Sequence, residues 1–259
     1  MLRWCSSCQQ FMGEAAPFDD FRVTHGMCEA CADDFMNFSD ANLAHAMRLR
    51  ELQERLYVAG LGHDLGAAHG IIEEALAANV RAVDILSGLV APILYKIGED
   101  WKRGIRSVAE EHRMTAFCSE VFALISRKVK GTISAPATPI GSIDVLLMNA
   151  PANSHTLGIR ILALLLETDE LQVHTVDGDP GLEELIAVVG RLQPRLLLIS
   201  MALAEQRAGV AAIVERLATL PAPMRPKVIV GGYAVKLDLV AAIPGAEFVA
   251  DISSIRAVL

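Results

Sequence analysis

Four of the five cysteines form two closely spaced pairs near the N-terminus, Cys5-x-x-Cys8 and Cys28-x-x-Cys31. Nineteen residues separate the pairs, within the range at which two thiolate pairs on two turns converge tetrahedrally on zinc. So short a segment buries too little surface to fold alone, and the metal would supply much of its folding free energy. The pattern predicts a zinc-ribbon-like segment over residues 1–36 rather than unrelated core cysteines.

The second cysteine pair lies in the sequence THGMCEAC, residues 24–31, which resembles the T-H-G-x-C-x-x-C end of small zinc ribbons in bacterial signalling proteins. His25 is a further candidate ligand, but beside four thiolates we interpret it as a turn residue. Residues 1–35 contain two arginines and six acidic side chains, and the whole chain has a formal net charge of −8. Because phosphate affinity depends on Lys and Arg, the segment predicts a protein partner and argues against direct DNA binding.

A histidine, His155, stands between an expected strand and an expected helix. The strand is IDVLLMNA (143–150), and the apolar helix ILALLLE begins shortly after Gly158. Such a loop lies at the carboxyl edge of a parallel sheet, where open α/β folds bind ligands. By its position alone His155 is a weak ligand candidate.

The sequence from Asn153 through His155 to Gly158 resembles the D-x-H-x-x-G motif of cobalamin-binding domains. Further matches follow at two later strand ends, so the resemblance covers residues 143–259. It implies that the histidine displaces the dimethylbenzimidazole of cobalamin and becomes the lower ligand of cobalt. A flavodoxin-like domain without a ligand is the alternative.

The same resemblance assigns four small residues to the nucleotide tail of the cofactor. Gly158 would let the start of the helix approach the tail, and the tail channel would be lined by Ser200, Gly231 and Gly232. Two positions depart from the motif: Asn153 replaces its acidic residue, and Ala202 replaces the Thr or Leu expected two residues after the serine. An amide can orient the imidazole but cannot raise its basicity as a carboxylate does, so a softer cobalt bond is expected.

Trp101 is followed, after nine residues, by Glu111-His112. A tryptophan at the end of an amphipathic helix is more often a core residue than a cofactor lid. The W-x9-E-H pattern nevertheless resembles the CarH and LitR class of light-sensing cobalamin regulators, and the match covers residues 40–259. It implies that cobalamin is sandwiched between a helical bundle and an α/β domain. Trp101 would pack against the 5'-deoxyadenosyl group, with Glu111 and His112 hydrogen-bonding around it.

This chain differs from that class in two respects. The acidic ribbon stands in place of the N-terminal helix-turn-helix, so DNA binding is not implied. Lys102 stands where the best-known photoreceptors have a histidine that captures cobalt after illumination. Because a protonated lysine is a poor cobalt ligand, the photoproduct is expected to carry water or another base.

The remaining sequence predicts the elements that position these residues. Apolar periodicity predicts four packed helices within residues 40–129, near 41–59, 65–79, 81–100 and 106–129. Gly104 and Ser107 predict a helix break between Trp101 and Glu111. Residues 130–142 are rich in Gly, Pro, Ser and Thr, which predicts a linker. Residues 143–259 repeat strand and helix patterns, which predicts a flavodoxin-like α/β domain with a parallel sheet.

The composition is typical of a globular protein, with 53% hydrophobic and 21% charged residues. The chain has no run of eighteen uncharged apolar residues, and its N-terminal residues lack the apolar stretch of a secretory signal. We therefore expect a cytoplasmic location and no membrane partner.

Together these features predict a cytoplasmic sensor that binds adenosylcobalamin and zinc, responds to light and acts in signalling or transcriptional regulation through protein contacts of the ribbon or bundle. We do not expect it to be an enzyme. Two alternatives stay open: a corrinoid carrier subunit of a methyltransferase system, and a haem or linear tetrapyrrole sensor. Bundles that switch often dimerise, which leaves a homo-oligomer open.

Overall fold

The chain divides into two compact units, Met1–Ile133 and Ser134–Leu259. The computed structural model describes residues 1–32, 40–131 and 143–250, with only the backbone described over 40–46. Most of the predicted linker lies outside the described residues, as do residues 33–36 of the predicted zinc segment and the last nine residues of the predicted C-terminal domain.

The first unit begins with a three-stranded sheet, which we call the ribbon together with the short helix that follows it. The strands are β1 (Leu2–Cys5), β2 (Phe11–Glu14) and β3 (Val23–Gly26), and the helix is α1 (Glu29–Ala32). Strand β1 is central and pairs antiparallel with β2 and parallel with β3. His25 therefore lies within a strand, opposite Trp4, and its interpretation as a turn residue was wrong. The predicted turn begins only after Gly26, where β3 ends.

Four helical runs follow. They are α2 (Asp40–Gly62), α3 (Leu65–Ala77), a continuous run from Ala82 to Lys102, and α6 (Val108–Lys130). The third run consists of α4 (Ala82–Ile85), a π-helical turn (Leu86–Val90, called the π turn below) and α5 (Ala91–Lys102). Its residues stay in right-handed helical conformation at both junctions. No helix among the described residues is both long enough and apolar enough to cross a membrane.

The predicted break between α5 and α6 is confirmed. Gly104 has a φ of +70°, a conformation that suits glycine and ends the helical run. Ser107 caps α6: its Oγ accepts a hydrogen bond from the Glu110 N–H at 3.3 Å, and the Glu110 carboxylate accepts one from the Ser107 N–H at 2.8 Å. This reciprocal capping box separates the Trp101 end of α5 from Glu111 and His112.

The second unit is a five-stranded parallel sheet flanked by helices. The strands are β4 (Val145–Asn149), β5 (Val173–Thr175), β6 (Leu196–Ser200), β7 (Lys227–Gly231) and β8 (Ala246–Phe248). The helices between them are α7 (Thr156–Thr168), α8 (Leu182–Leu192), α9 (Arg207–Ala218) and α10 (Tyr233–Lys236).

The strands lie in the order β5-β4-β6-β7-β8, and every neighbouring pair is parallel. The central strands are apolar because both faces are covered, one by a cluster around Leu146, Leu197 and Val230 and the other by a cluster around Val145, Leu147 and Leu198. The order is that of flavodoxin-like folds. The predicted fold class, a helical bundle followed by a parallel α/β sheet, is confirmed.

Candidate functional site

The strand order of the second unit fixes where a ligand would bind. From β4 the chain crosses to β5 on one side, and β6 lies on the other side, so the switch in direction falls between β4 and β6. Open α/β sheets bind ligands at the carboxyl ends of the strands at this point. The ends are in register, with Asn149 opposite Ser200 and Ser200 opposite Gly231. Two of the predicted tail residues therefore lie side by side here.

The loop after β4 is held to the same edge by backbone bonds. The Ala150 N–H donates to the Ser200 carbonyl at 2.9 Å, and the Asn153 N–H donates to the Ala150 carbonyl at 3.0 Å. Between them Ala152 adopts a left-handed φ of +61°, and its N–H donates to the Asp179 carboxylate at 2.9 Å. The loop is therefore fixed at both ends and in the middle.

Asn153 is the buried centre of this loop. Its Nδ2 donates to the Ser200 carbonyl at 2.9 Å and to Asn149 Oδ1 at 3.4 Å, and its Oδ1 accepts from the His155 N–H at 3.1 Å. The Ser200 carbonyl and Asn149 Oδ1 are both acceptors, so the Asn153 amide must direct its Nδ2 and not its Oδ1 towards them. The same Oδ1 lies 3.0 Å from His155 Nδ1.

This geometry determines which ring nitrogen of a neutral His155 carries the proton. Because an amide oxygen is only an acceptor, the Nδ1 of a neutral His155 must carry the proton and donate it to Asn153. The lone pair of Nε2 is then available to a metal, which is how metal-binding histidines are usually oriented. The contact brings no negative charge, in keeping with the predicted departure from a carboxylate.

The residues around His155 fit the approach of a large ligand. His155 is exposed at the N-terminus of α7. Gly158 lies on the same first turn, is exposed, and would place a Cβ within 4 Å of no other atom. Within the second unit, the histidine and the glycine are thus brought to one open face, while Ser200 lies at the strand end behind them.

The glycine pair at the end of β7 also has a structural explanation. Gly232 has a φ of +101°, and a Cβ there would lie 2.6 Å from the Met201 carbonyl oxygen. At Gly231 a Cβ would lie 3.1 Å from the Val249 carbonyl oxygen. The backbone after β6 comes too close to Gly232 for a larger residue, and the backbone after β8 leaves little room at Gly231, whatever ligand binds beside them.

Three residues that hold the backbone at this edge were not predicted from the sequence. Asn149 and Asp179 hold the loop as described, and Gln206 is buried and accepts from the N–H groups of Ala202 and Leu203 at 2.9 and 3.0 Å. The glutamine side chain shapes the backbone after Ser200, where Ala202 departs from the family motif. A polar residue at the last position of an apolar strand was the only sequence signal, and it pointed to Asn149.

The four cysteines of the ribbon converge as predicted. The Sγ atoms of Cys5, Cys8, Cys28 and Cys31 all lie within 4.8 Å of one another, and Cys8 and Cys28 are 3.7 Å apart. Tetrahedral zinc with Zn–S bonds of about 2.3 Å requires sulfur atoms about 3.8 Å apart. The cluster could therefore hold zinc in a closed, all-thiolate site.

The electrostatics of the cluster favour a metal cation. Burial raises the pKa of the Cys5 thiol, but the backbone N–H groups of Cys28, Cys8 and Ser7 together outweigh it and lower the pKa to about 6. Burial and the neighbouring thiols raise the pKa of Cys8 to about 12. One thiolate therefore forms readily, and a metal would displace protons from the others.

His25 and the fifth cysteine, Cys118, are not part of this cluster. Burial lowers the pKa of His25, and within the described residues its Nε2 has no hydrogen-bond partner. Cys118 is buried in α6, where burial raises the pKa of its thiol to about 12. Among the residues that the structure describes, the four paired cysteines form the only such group of metal-ligating side chains.

The predicted upper-face residues are at or near the surface of the first unit. Trp101 lies in the last turn of α5 with 47% of its surface exposed, and Ile105 and Val108 after it are also exposed. On α6, Glu111 accepts from Thr115 Oγ1 at 2.8 Å, and the exposed His112 lies 3.6 Å from the Glu111 carboxylate. The exposed indole is therefore not a core residue. Together with the two exposed apolar residues it forms a surface that a ligand could cover.

Residues 52–126 match the family model of a B12 binding domain. The matched stretch lies in the helical bundle and includes Trp101, Glu111 and His112. This stretch is similar to a B12 binding domain, which supports the prediction that cobalamin is the cofactor.

A solved structure with a similar fold is that of a corrinoid protein, and two others are more distantly similar. The monomethylamine corrinoid protein of Methanosarcina barkeri has a TM-score of 0.66 and 16% identity, over 80% of this chain and 96% of that protein. The methanol:cobalamin methyltransferase complex of the same organism has a TM-score of 0.39 and 17% identity, over 90% and 92%. A cobalamin-binding protein from Desulfitobacterium hafniense DCB-2 has a TM-score of 0.38 and 16% identity, over 80% and 96%. No curated protein matches this chain.

Proposed function

We propose that this protein binds cobalamin through His155 and acts as a cobalamin-dependent sensor. The observation that carries the proposal is the orientation of His155, whose Nδ1 is tied to the buried Asn153 while the exposed ring presents Nε2 at the switch point of the sheet. The B12-binding match over residues 52–126 supports the choice of cofactor.

The residues of each unit have separate roles in this proposal. In the second unit His155 ligates cobalt, Asn153 orients the imidazole, and the nucleotide tail passes Gly158, Ser200, Gly231 and Gly232. In the first unit Trp101, Glu111 and His112 contact the upper ligand, which the resemblance to the CarH and LitR class takes to be 5'-deoxyadenosyl. The cofactor supplies a light-sensitive cobalt–carbon bond. The protein supplies two conformations whose balance depends on whether Trp101 has that group to contact.

The output of the sensor is a protein contact in the cytoplasm. The ribbon, with its excess of acidic side chains, and the exposed bundle surface are the two candidate surfaces for a partner, and a homo-oligomer is a third route to signalling. The charge of the ribbon argues against direct DNA binding.

A corrinoid carrier for a methyltransferase system is the second candidate, favoured by the fold shared with the monomethylamine corrinoid protein. The neutral Asn153 favours the sensor, because a carrier must tune cobalt through several oxidation states and a carboxylate partner would help it to do so. The exposed Trp101 also favours the sensor, since a bulky indole selects a bulky upper ligand.

The test begins with the ligand. We expect His155→Ala to remain folded and to lose the absorption spectrum of histidine-ligated cobalamin. His174→Ala is the matched control, since His174 is an exposed histidine of the same unit on β5. An unchanged spectrum of bound cobalamin in His155→Ala would rule out the ligand assignment.

The same protein then separates the two functions. The purified chain is loaded with adenosylcobalamin and measured by absorption and small-angle scattering in darkness and after green light. A sensor changes both, Trp101→Ala weakens the change, and Lys102 leaves the lit protein without a bis-histidine spectrum. A complex whose spectrum and size are both indifferent to light makes the carrier the better assignment.

A further inference from the structure

The ribbon is joined to the helical bundle within the first unit by residues that flank the zinc ligands. Trp4 directly precedes Cys5, and Phe11 follows Cys8 by three positions. Both side chains are buried, and their rings pack against each other with centroids 5.2 Å apart. The loop with Cys5 and Cys8, which we call the metal loop, is thus held between two aromatic residues.

These rings pack against the π turn of the third helical run. A Cβ on Gly88 would lie 2.2 Å from Trp4 Cζ2 and 2.8 Å from Phe11 Cδ2, so only glycine admits the aromatic pair. In a π turn each backbone hydrogen bond spans one residue more than in an α-helix, and such turns are rare and short. We therefore expect the contact of Trp4 and Phe11 with Gly88 to help to stabilise the π-helical conformation of the turn.

Two polar contacts add to the aromatic one. Gln9, in the turn next to Cys8, donates from Nε2 to the Ala78 carbonyl at the end of α3, at 2.9 Å. Gln53 on α2 donates to the Phe21 carbonyl of the ribbon at 3.1 Å. The Gln9 N–H also donates to the Cys5 carbonyl at 3.0 Å, which links the bundle contact directly to the backbone of the metal loop.

We propose that zinc in the four-cysteine site acts as a clamp on the π turn: with zinc bound, Trp4 and Phe11 are pressed against Gly88, and loss of the metal releases both rings and frees the turn. The ribbon has too small a core of its own to fold alone, so we expect it to lose its order without the metal. The aromatic pair and the Gln9 contact are therefore lost together when zinc leaves.

The clamp reaches the surface that contains Trp101. The π turn and α5 form one helical run, and Trp101 lies thirteen residues after Gly88, about 20 Å along the axis at 1.5 Å per residue. If Trp101 contacts the cofactor, as the proposed function has it, the zinc state would also influence that contact. The clamp itself does not depend on the proposed function.

The first test measures zinc affinity in the full chain. Energetic coupling is reciprocal, so a change at the π turn that excludes the rings must weaken zinc binding. We expect Gly88→Ala to bind zinc at least about tenfold more weakly than the wild type, in competition with a chromophoric chelator. Gly98→Ala is the matched control, because a Cβ on this glycine of α5 would meet nothing within 4 Å. Equal zinc affinities in the two variants would overturn the clamp.

The second test follows the turn itself by hydrogen exchange in the zinc-loaded and zinc-free full chain, under reducing conditions and without cobalamin. We expect amides of residues 86–91 to exchange at least about tenfold faster without zinc, while those of residues 117–125 in α6 keep their rate. Trp4→Phe lacks the ring atoms that touch Gly88 and should loosen the same amides with zinc still bound, which covers the case in which Gly88→Ala does not fold. Unchanged exchange over 86–91 after zinc removal would refute the proposal, and cobalamin binding has no part in either result.

Discussion

The two candidate metal sites of this chain are built in opposite ways. The ribbon provides four protein ligands within 4.8 Å of one another, so the proposed zinc would be fully coordinated and closed. The loop after β4 provides one exposed ligand, His155, and the rest of the site consists of strand ends, backbone groups and glycines. A complete ligand set makes the metal part of the fold. A metal that is bound by a single ligand on a folded unit contributes little to the fold and is free to serve the function.

The same contrast applies to the residues behind each site. The cysteines hold together a sheet of short strands whose own core consists largely of Trp4, Phe11 and Leu2. Asn153, in comparison, is held by a sheet with two large clusters of buried apolar side chains, so we expect this unit to fold without the ligand. Removing a ligand should therefore have a large effect on stability in the ribbon and a small one in the second unit.

The largest effect is expected for Cys31→Ser. Structural zinc contributes on the order of 10 kcal/mol in small zinc domains, so this variant should lose both its zinc and the ordered ribbon. Elemental analysis should find about one zinc per wild-type chain, a number set by the single four-thiolate group. Cys118→Ala is the control and should keep its zinc, since Cys118 lies apart in α6. A Cys31→Ser protein with full zinc content would show that the thiolates are not the ligands.

A smaller effect is expected for Asn153→Ala. The variant leaves the His155 N–H without its partner and removes one bond to the Ser200 carbonyl, both in a partly buried region, which should cost about 1–3 kcal/mol of unfolding free energy. Urea unfolding of the second unit measures it, with the exposed neighbour Ser154→Ala as control. Asn153→Ala should also weaken cobalamin binding. Equal stability of the two variants would mean that the amide network does not support the loop.

The smallest effect on stability, and of opposite sign, is expected for Gly158→Ala. A Cβ here meets no atom of the protein, and alanine is favoured over glycine in a helix by about 0.5–1 kcal/mol. The variant should therefore be slightly more stable but bind cobalamin more weakly, because the new methyl group stands where the nucleotide tail is proposed to pass. Gly190→Ala in α8 should give the stability without the loss of binding. If Gly158→Ala binds cobalamin as tightly as the wild type does, the nucleotide tail does not pass this residue.

The fold was predicted well because its signals are periodic and local. Apolar strands after regular intervals, helices with three- and four-residue spacing and the break at Gly104 and Ser107 each depend on a few neighbouring residues. The cysteine cluster was predictable for a related reason, since the spacing of a four-thiolate set limits its geometry. The position of His155 followed from the strand before it and the resemblance of its motif.

What the sequence did not indicate depends on contacts between distant segments. The π turn and the role of Gly88 arise from Trp4, more than eighty residues earlier, and no local pattern announces them. His25 was misinterpreted because its strand forms only by pairing in parallel with β1. The hydrogen bond that joins Asn153 to Ser200 likewise links the loop after one strand to the end of another. Tertiary pairing, and not propensity, determined each of these features.

The left-handed backbone of Ala152 affects how a ligand would bind. Residues with a side chain occupy this conformation at a cost of about 1–2 kcal/mol, and here the Asp179 carboxylate and the turn around Asn153 hold it in place. That cost is met when the unit folds and not when the ligand arrives. The loop loses little conformational entropy on binding, so complex formation should be limited by encounter rather than by rearrangement of residues 150–155.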